Sequence, residues 1–533
     1  MSARIAPAAL RARLQEDGRE IALLDVREQG AFARAHILLA SNAPLSRLEI
    51  DVPRLVPRRA APVVLCDGGE GLAGRAAAIL ARHGYSDVAV LEGGIEAWRD
   101  AGFMLFEGVH VPSKGFGEFV EATYGTPHIA AEELRRLGAT GRKLVILDSR
   151  PLSEYRQMSI PGGIDVPGAE LVHRVRDLAP DPETLVVVNC AGRTRSIIGA
   201  QSLINAGVEN RVVALENGTM GWTLAGQRLE HGQARVPPAL SEGGRAWAKV
   251  AAARVAARFG VRTIGRDALA RWREEDEART LYLCDVRLPE EYETGHLAGA
   301  RCTPGGQLVQ ATDAYLATRG ARVVLADDDG VRATMTASWL IQMGWRETYV
   351  LRDGLCGELE RGPERLEVLG LDEREIQAAL SPATLARMLE DDAVRILDFA
   401  DSRKFREAHI AGAWWLSRAR LREDLPEIPP GVRYVLTSPD GLLARLALVE
   451  VGRLVDAPVH VLAGGTEAWH AAGLPLQAGA ERMAGNPDDV VYLRPYDRPP
   501  EQAEHAMREY LAWETALPSQ LARDGTLTFA SYR

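Results

Sequence analysis

Short, unbroken apolar runs recur along the chain, and several close on an aspartate: Leu23-Leu24-Asp25, Ile146-Leu147-Asp148, Leu283-Cys284-Asp285 and Ile396-Leu397-Asp398. A second set follows each of these: Val63-Val64-Leu65-Cys66, Val187-Val188-Asn189-Cys190, Val323-Val324-Leu325-Ala326 and Tyr434-Val435-Leu436-Thr437. Runs this continuous belong to strands buried on both faces, as in a parallel sheet covered by helices on each side. Stretches such as residues 74–82 and 333–343 read as helices. The pattern predicts an α/β fold built on mostly parallel sheets.

Spacing turns the pattern into a repeat. From the four aspartates, the ends of the second runs lie 41, 42, 41 and 39 residues on. A third mark follows at 68, 69, 68 and 66 residues: Gly93-Gly94, Asn217-Gly218, Asp353-Gly354 and Gly464-Gly465. Three marks in register over four copies predict four domains, at residues 1–110, 111–235, 236–365 and 366–480, with a partly helical tail at 481–533. Residues 107–126, rich in glycine, read as a linker, as do residues 233–244. Residues 245–259 read as a helix leading into the third unit, and the third and fourth units meet near residues 362–375. The amphipathic stretch 501–517 is expected to pack against a domain.

Composition narrows the class. The chain has 533 residues, 46% hydrophobic and 26% charged, as in ordinary globular protein. Its net charge of −10 argues against nucleic acid or anionic membranes as partners. No apolar stretch spans a bilayer, and the first residues lack a secretory core, so a cytoplasmic location is expected. Five cysteines without CxxC spacing indicate neither a disulfide framework nor a zinc site.

Candidate chemistry centres on Cys190. It ends a buried strand and opens the turn Cys190-Ala191-Gly192-Arg193-Thr194-Arg195, with a helix-like segment following. A thiol facing the first amides of a helix sits where negative charge is favoured, and two arginines in the turn add to that. The plain alternative is a buried structural thiol with both arginines paired to carboxylates. Asp148 and Arg150 read as a structural ion pair. Cys284, Cys302 and Cys356 read as incidental, one in a strand and two in or near turns.

The ordered set of marks resembles the rhodanese family of sulfurtransferases over about 480 residues. The pattern is Asp-x-Arg, then a segment such as Glu291-Tyr292-Glu293-Thr294-Gly295-His296-Leu297-Ala298-Gly299-Ala300, then a cysteine loop and Gly-Gly-x-x-Ala-Trp. The resemblance implies four tandem rhodanese-like domains, persulfide chemistry, and no metal or organic cofactor. It implies a small-molecule anionic sulfur donor and a thiol or cyanide acceptor. Cys190 would carry the sulfur, the amides of Ala191, Gly192, Arg193, Thr194, Arg195 and Ser196 would cradle it, and Arg193 and Arg195 would hold the donor.

The remaining units are weaker. Cys66 is a secondary candidate in an acidic loop, with Arg75 beyond it, and Ala326 and Thr437 leave the third and fourth units without a loop cysteine. The second unit lacks the histidine found as His36, His296 and His409, which marks that histidine as structural. A related phosphatase loop is one residue longer and would need arginine where Ser196 stands. A non-catalytic persulfide sensor or scaffold is the other alternative.

Overall fold

A computed structural model describes residues 3–16, 18–275, 278–371, 379–389 and 394–532. Among the described residues, four sheets with a parallel core, whose strand order crosses over through helices, run along the chain, and His409–Ile410 with Leu476–Gln477 forms a small antiparallel fifth. In the second, the order is His128–Ile129, Val212–Leu215, Leu185–Asn189, Leu144–Asp148 and Ile164–Asp165. The first and third sheets repeat this order with the corresponding strands. The fourth is a four-stranded version. Val186, Val187 and Val188 are fully buried, as their apolar run requires. Among the described residues no helix is long and apolar enough to cross a membrane.

The aspartates that close the first strands are buried anchors. Asp25, Asp148 and Asp285 each bind the arginine two residues on, and those arginines also donate to the carbonyls of Ala35, Met158 and Gly295. Where the arginine is lost, Asp398 accepts the Ala400 amide and burial pushes its carboxyl up to about 6. His36, His296 and His409 are structural too. Each is buried, stacks on the aromatic ring four residues earlier and pairs through Nδ1 with that residue's carbonyl.

Two segments depart from their reading as connections. Residues 107–126 hold the helix Val111–Tyr124. Its glycines serve close packing: a Cβ on Gly115 would collide with Leu521, and one on Gly117 with the backbone of Thr194. The helix expected at 245–259 runs over Glu242–Phe259, because Ser241 caps it by accepting the Gly244 amide at 2.9 Å. It packs into the second unit's core, with Val255 and Phe259 in one cluster with Leu203 and Val212.

The units interlock. Thr318–Arg319 of the third unit joins the first sheet as an antiparallel edge strand against Ile21–Asp25. Fully buried Arg332 pairs with Glu170 at 2.7 Å, and Arg418 grips Glu49 through two bonds of 2.8 Å. His173 bonds Asp329 at 2.9 Å across the same second–third boundary. Burial works against its charge, but bonds to Asp329 and Glu170 outweigh it and raise its pKa to about 9. The tail forms the helix Pro500–Asp524, which lies against Val111–Tyr124 and ties to the first unit through Arg11 and Asp524.

The raised His173 pKa sets a pH dependence. Its contribution is complete below the unfolded value near 6.5 and is lost as pH climbs through about 9. The gap in thermal midpoint between the native protein and His173→Gln is therefore expected to be largest at pH 6 and to shrink by pH 10. A gap independent of pH refutes a charged His173.

Candidate active site

The backbone aligns the four loops one residue away from the match suggested by residue type. Asp25 stands opposite Cys66 in its sheet, Asp285 opposite Ala326 and Asp398 opposite Thr437, whereas Asp148 stands opposite Asn189. Cys190 is thus the first residue beyond the strand. Its counterparts are Asp67, Asp327 and Ser438. The carbonyls of Asp67, Cys190 and Ser438 accept the amides of Ile95, Thr219 and Thr466 at 2.9–3.0 Å. Gly94, Gly218, Gly354 and Gly465 must be glycine because a Cβ on each would collide with the carbonyl of the loop residue at this place.

The counterparts reveal what the loop binds. Asp67 accepts the amides of Gly69 and Ala73 at 2.9 Å, and Asp327 those of Gly330 at 2.6 Å and Ala333 at 3.0 Å. Ser438 accepts the Ala444 amide at 3.4 Å. Three of the four loops therefore fill their amide cradle with their own oxygen, as an N-capping residue does. Burial still pushes the Asp327 carboxyl up to about 6.

In the second unit the same place holds the Cys190 thiol. Among the described residues, no protein acceptor takes the N–H groups of residues 191–196. Their direction is set from behind. The Cys190 carbonyl accepts the Thr219 amide, and the Ala191 carbonyl accepts the Met220 amide at 3.0 Å and the Tyr496 phenol at 3.3 Å, while the Thr219 hydroxyl bonds the Tyr496 phenol oxygen at 2.6 Å. In a planar trans peptide the N–H points opposite the carbonyl, so pinning these oxygens turns the Ala191 and Gly192 amides the other way. The thiol is 2% exposed and lies 3.5 Å from the Ser196 hydroxyl.

Both loop arginines are already bound. Arg193 is held by Glu118 at 2.7 and 2.8 Å and by Glu121, all from the helix first read as a linker. Arg195 is held by Glu154 at 2.7 and 2.9 Å and by Gln307 of the third unit. Burial opposes charge on Glu154, yet Arg195 keeps its pKa down at about 2. The arginines thus sit as fixed ion pairs around the sulfur, which matches the paired-carboxylate alternative, while both still line the cavity.

That cavity, about 710 Å³, is walled by all four units and the tail. The tail contributes Tyr492, Arg494, Tyr496 and Tyr510. Behind them, fully buried Glu514 accepts from Thr194 and Tyr510 and pairs with Lys114 at 3.3 Å. Burial, followed by Glu514, pushes the Tyr510 phenol up, and burial does the same to Tyr496, so both keep their protons. None of these tail residues carries a mark in the sequence.

Cys66 is in another place altogether. It ends its strand, is fully buried among Val64, Leu91 and Trp98, and does not line the cavity; burial pushes its thiol well above the ordinary range. Cys284 lies inside a strand and Cys302 in a two-residue strand, where burial pushes its thiol up to about 12. Cys356 is exposed.

A family profile described as the rhodanese-like domain matches residues 6–101, 130–225, 266–357 and 381–472. A crystal structure of thiosulfate sulfurtransferase from Pseudomonas aeruginosa is 52% identical, with all of both chains aligned and a TM-score of 0.93. A putative sulfur carrier protein of Bacillus subtilis is 27% identical over 114 residues, which is 21% of this chain and 60% of that protein. An HTH-type transcriptional regulator of Mycobacterium tuberculosis is 33% identical over 111 residues, 20% of this chain and 47% of that one. The chain spans between about half and three-fifths of the length of these two curated relatives.

If Cys190 occupies an anion cradle, Cys190→Asp is expected to cap the helix as Asp67 and Asp327 do. It should be about 1 kcal/mol more stable than Cys190→Ala in denaturant unfolding; equal stability argues against the cradle. Removing one hydroxyl by Tyr496→Phe is expected to slow alkylation of Cys190 at pH 7 by roughly fivefold, about the worth of one hydrogen bond, without loss of fold.

Proposed function

Because this chain belongs to the rhodanese family, we propose that Cys190 is the residue on which its transferred sulfur is carried. The chain is a rhodanese-type sulfurtransferase, supported by the full-length likeness to the Pseudomonas enzyme. For the donor we take thiosulfate, from the description of that relative.

The Cys190 thiolate attacks the outer sulfur of the donor. The sulfur–sulfur bond of thiosulfate breaks, its electron pair leaves with sulfite, and Cys190 holds a persulfide. An acceptor thiolate or cyanide then attacks the outer sulfur, and the electron pair of the breaking bond returns to Cys190. Charge stays on sulfur throughout, so the chain needs donors aimed at that charge rather than a general base. The loop amides meet that need, and their free N–H groups are the observation that carries the reading. The equivalent amides of two sibling loops hold carboxylates in the same place. Arg193 and Arg195, fixed by their carboxylates, shape and polarise the entrance instead of swinging onto the donor.

The four units divide the work accordingly. Cys66, Ala326 and Thr437 occupy the strand-end position of Asn189, and their loops are filled, so sulfur transfer is assigned to the second unit alone. The other three wall the cavity.

Mass spectrometry after thiosulfate exposure is expected to find one added sulfur, on Cys190. Cys190→Ser should abolish thiocyanate formation from thiosulfate and cyanide, while Cys66→Ser should leave it intact. Modification without turnover would make the protein a persulfide sensor instead. Arg195→Ala is expected to lower kcat/KM for thiosulfate by roughly tenfold or more, because it leaves the half-buried Glu154 carboxylate without its ion-pair partner beside the sulfur.

A further inference from the structure

The cavity is far larger than its inorganic donor needs. At about 710 Å³ it falls in the range that holds organic ligands rather than an anion of a few atoms. Its lining is rich in cations: nine arginine or lysine side chains and four aspartates or glutamates line it.

Most of those cations are committed. Arg193, Arg418 and Arg150 are locked to buried carboxylates, and Arg195 to the half-buried Glu154. Arg47, from the first unit, is different: among the described residues its partner is Asp51 through Nε alone, at 3.4 Å, and its side chain, which lines the cavity, is 49% exposed. Its two terminal amino groups are thus presented side by side without an acceptor, the arrangement that takes a carboxylate in a bidentate grip. Trp415, Phe399 and Tyr492 give the same chamber apolar surface.

We infer that this wall, centred on Arg47, is a subsite for the sulfur acceptor, and that the acceptor is a small organic thiol bearing a carboxylate. The inference rests on Cys190 being the sulfur carrier. With the acceptor's carboxylate on Arg47, its thiolate attacks the outer sulfur of the Cys190 persulfide. A new sulfur–sulfur bond forms on the acceptor, the bond to Cys190 breaks with its electron pair left on Sγ, and the acceptor departs as a persulfide anion. The thiol's proton goes to solvent before attack. The first and fourth units, which have no loop cysteine at the working position, thereby acquire a part in choosing the substrate.

The test uses the full chain and two acceptors, glutathione as the carboxylated thiol and 2-mercaptoethanol as the uncharged one. The persulfide on Cys190 is first confirmed by mass spectrometry with thiosulfate alone, and kcat/KM is then measured for each thiol. The native protein should prefer glutathione, and Arg47→Ala should cut that preference ratio by roughly tenfold, the loss of a charge-assisted contact. Arg47→Glu should cut it further, and Arg47→Lys should restore part of it. A ratio that stays within about twofold in both the alanine and glutamate variants overturns the subsite while leaving Cys190 as carrier. Absence of the persulfide takes down the Cys190 reading and this one with it.

Discussion

The candidate site depends on a set of backbone amides at the start of a helix that, among the described residues, one domain leaves without an acceptor. An unpaired buried N–H is costly, and folded proteins avoid it. Three loops relieve the cost with an aspartate or serine at the first position. The fourth puts a thiol there, whose sulfur is a poor acceptor until it ionises. The same donors that cap a helix in the sibling domains thus become stabilisers of sulfur charge. Carbonyls pinned by Thr219, Met220 and Tyr496 keep those donors from turning away.

That view changes the meaning of degeneracy in the repeat. Asp67 and Asp327 do not merely repel anions; each is an anion already in place. The other three domains keep the loop because it closes their own helix and sheet. They also supply surface that one domain lacks: Arg332 and Arg418 fasten units together through fully or nearly fully buried ion pairs, and all four units line one chamber. Removing one member of such a pair leaves a buried charge uncompensated, which costs about 3–5 kcal/mol. The domains are therefore expected to behave as one cooperative body.

Much of this was legible in the chain. The apolar runs announced parallel strands, the recurring aspartates announced four copies, and the six-residue turn after Cys190 marked the loop on which the proposed function rests. What escaped was register. Nothing in Val-Val-Leu-Cys says whether the cysteine is the last residue of the strand or the first of the loop, and Cys66 was matched to Cys190 by residue type. The spacing from Asp25 to Asp67, Asp148 to Cys190 and Asp285 to Asp327 is the same 42 residues, a signal hidden because the eye follows cysteine rather than backbone. Gly115 and Gly117 misled in another way: glycine marks both flexible links and tight helix crossings, and only the neighbour distinguishes them. Tyr496 and Glu514 had no local sign at all, since their partners lie about three hundred residues away.

The placement of Tyr496 carries a consequence for biogenesis. Its hydroxyl reaches Ala191 from 305 residues further along the chain. Domains fold broadly in the order they are made, so the second domain takes shape with its sulfur loop still lacking one of the clasps that aim it. That clasp arrives only when the short turn Pro495–Asp497, just before the final helix, docks. A nascent polypeptide on the ribosome therefore holds the Cys190 turn with one clasp fewer, and a product truncated before residue 495 keeps it that way.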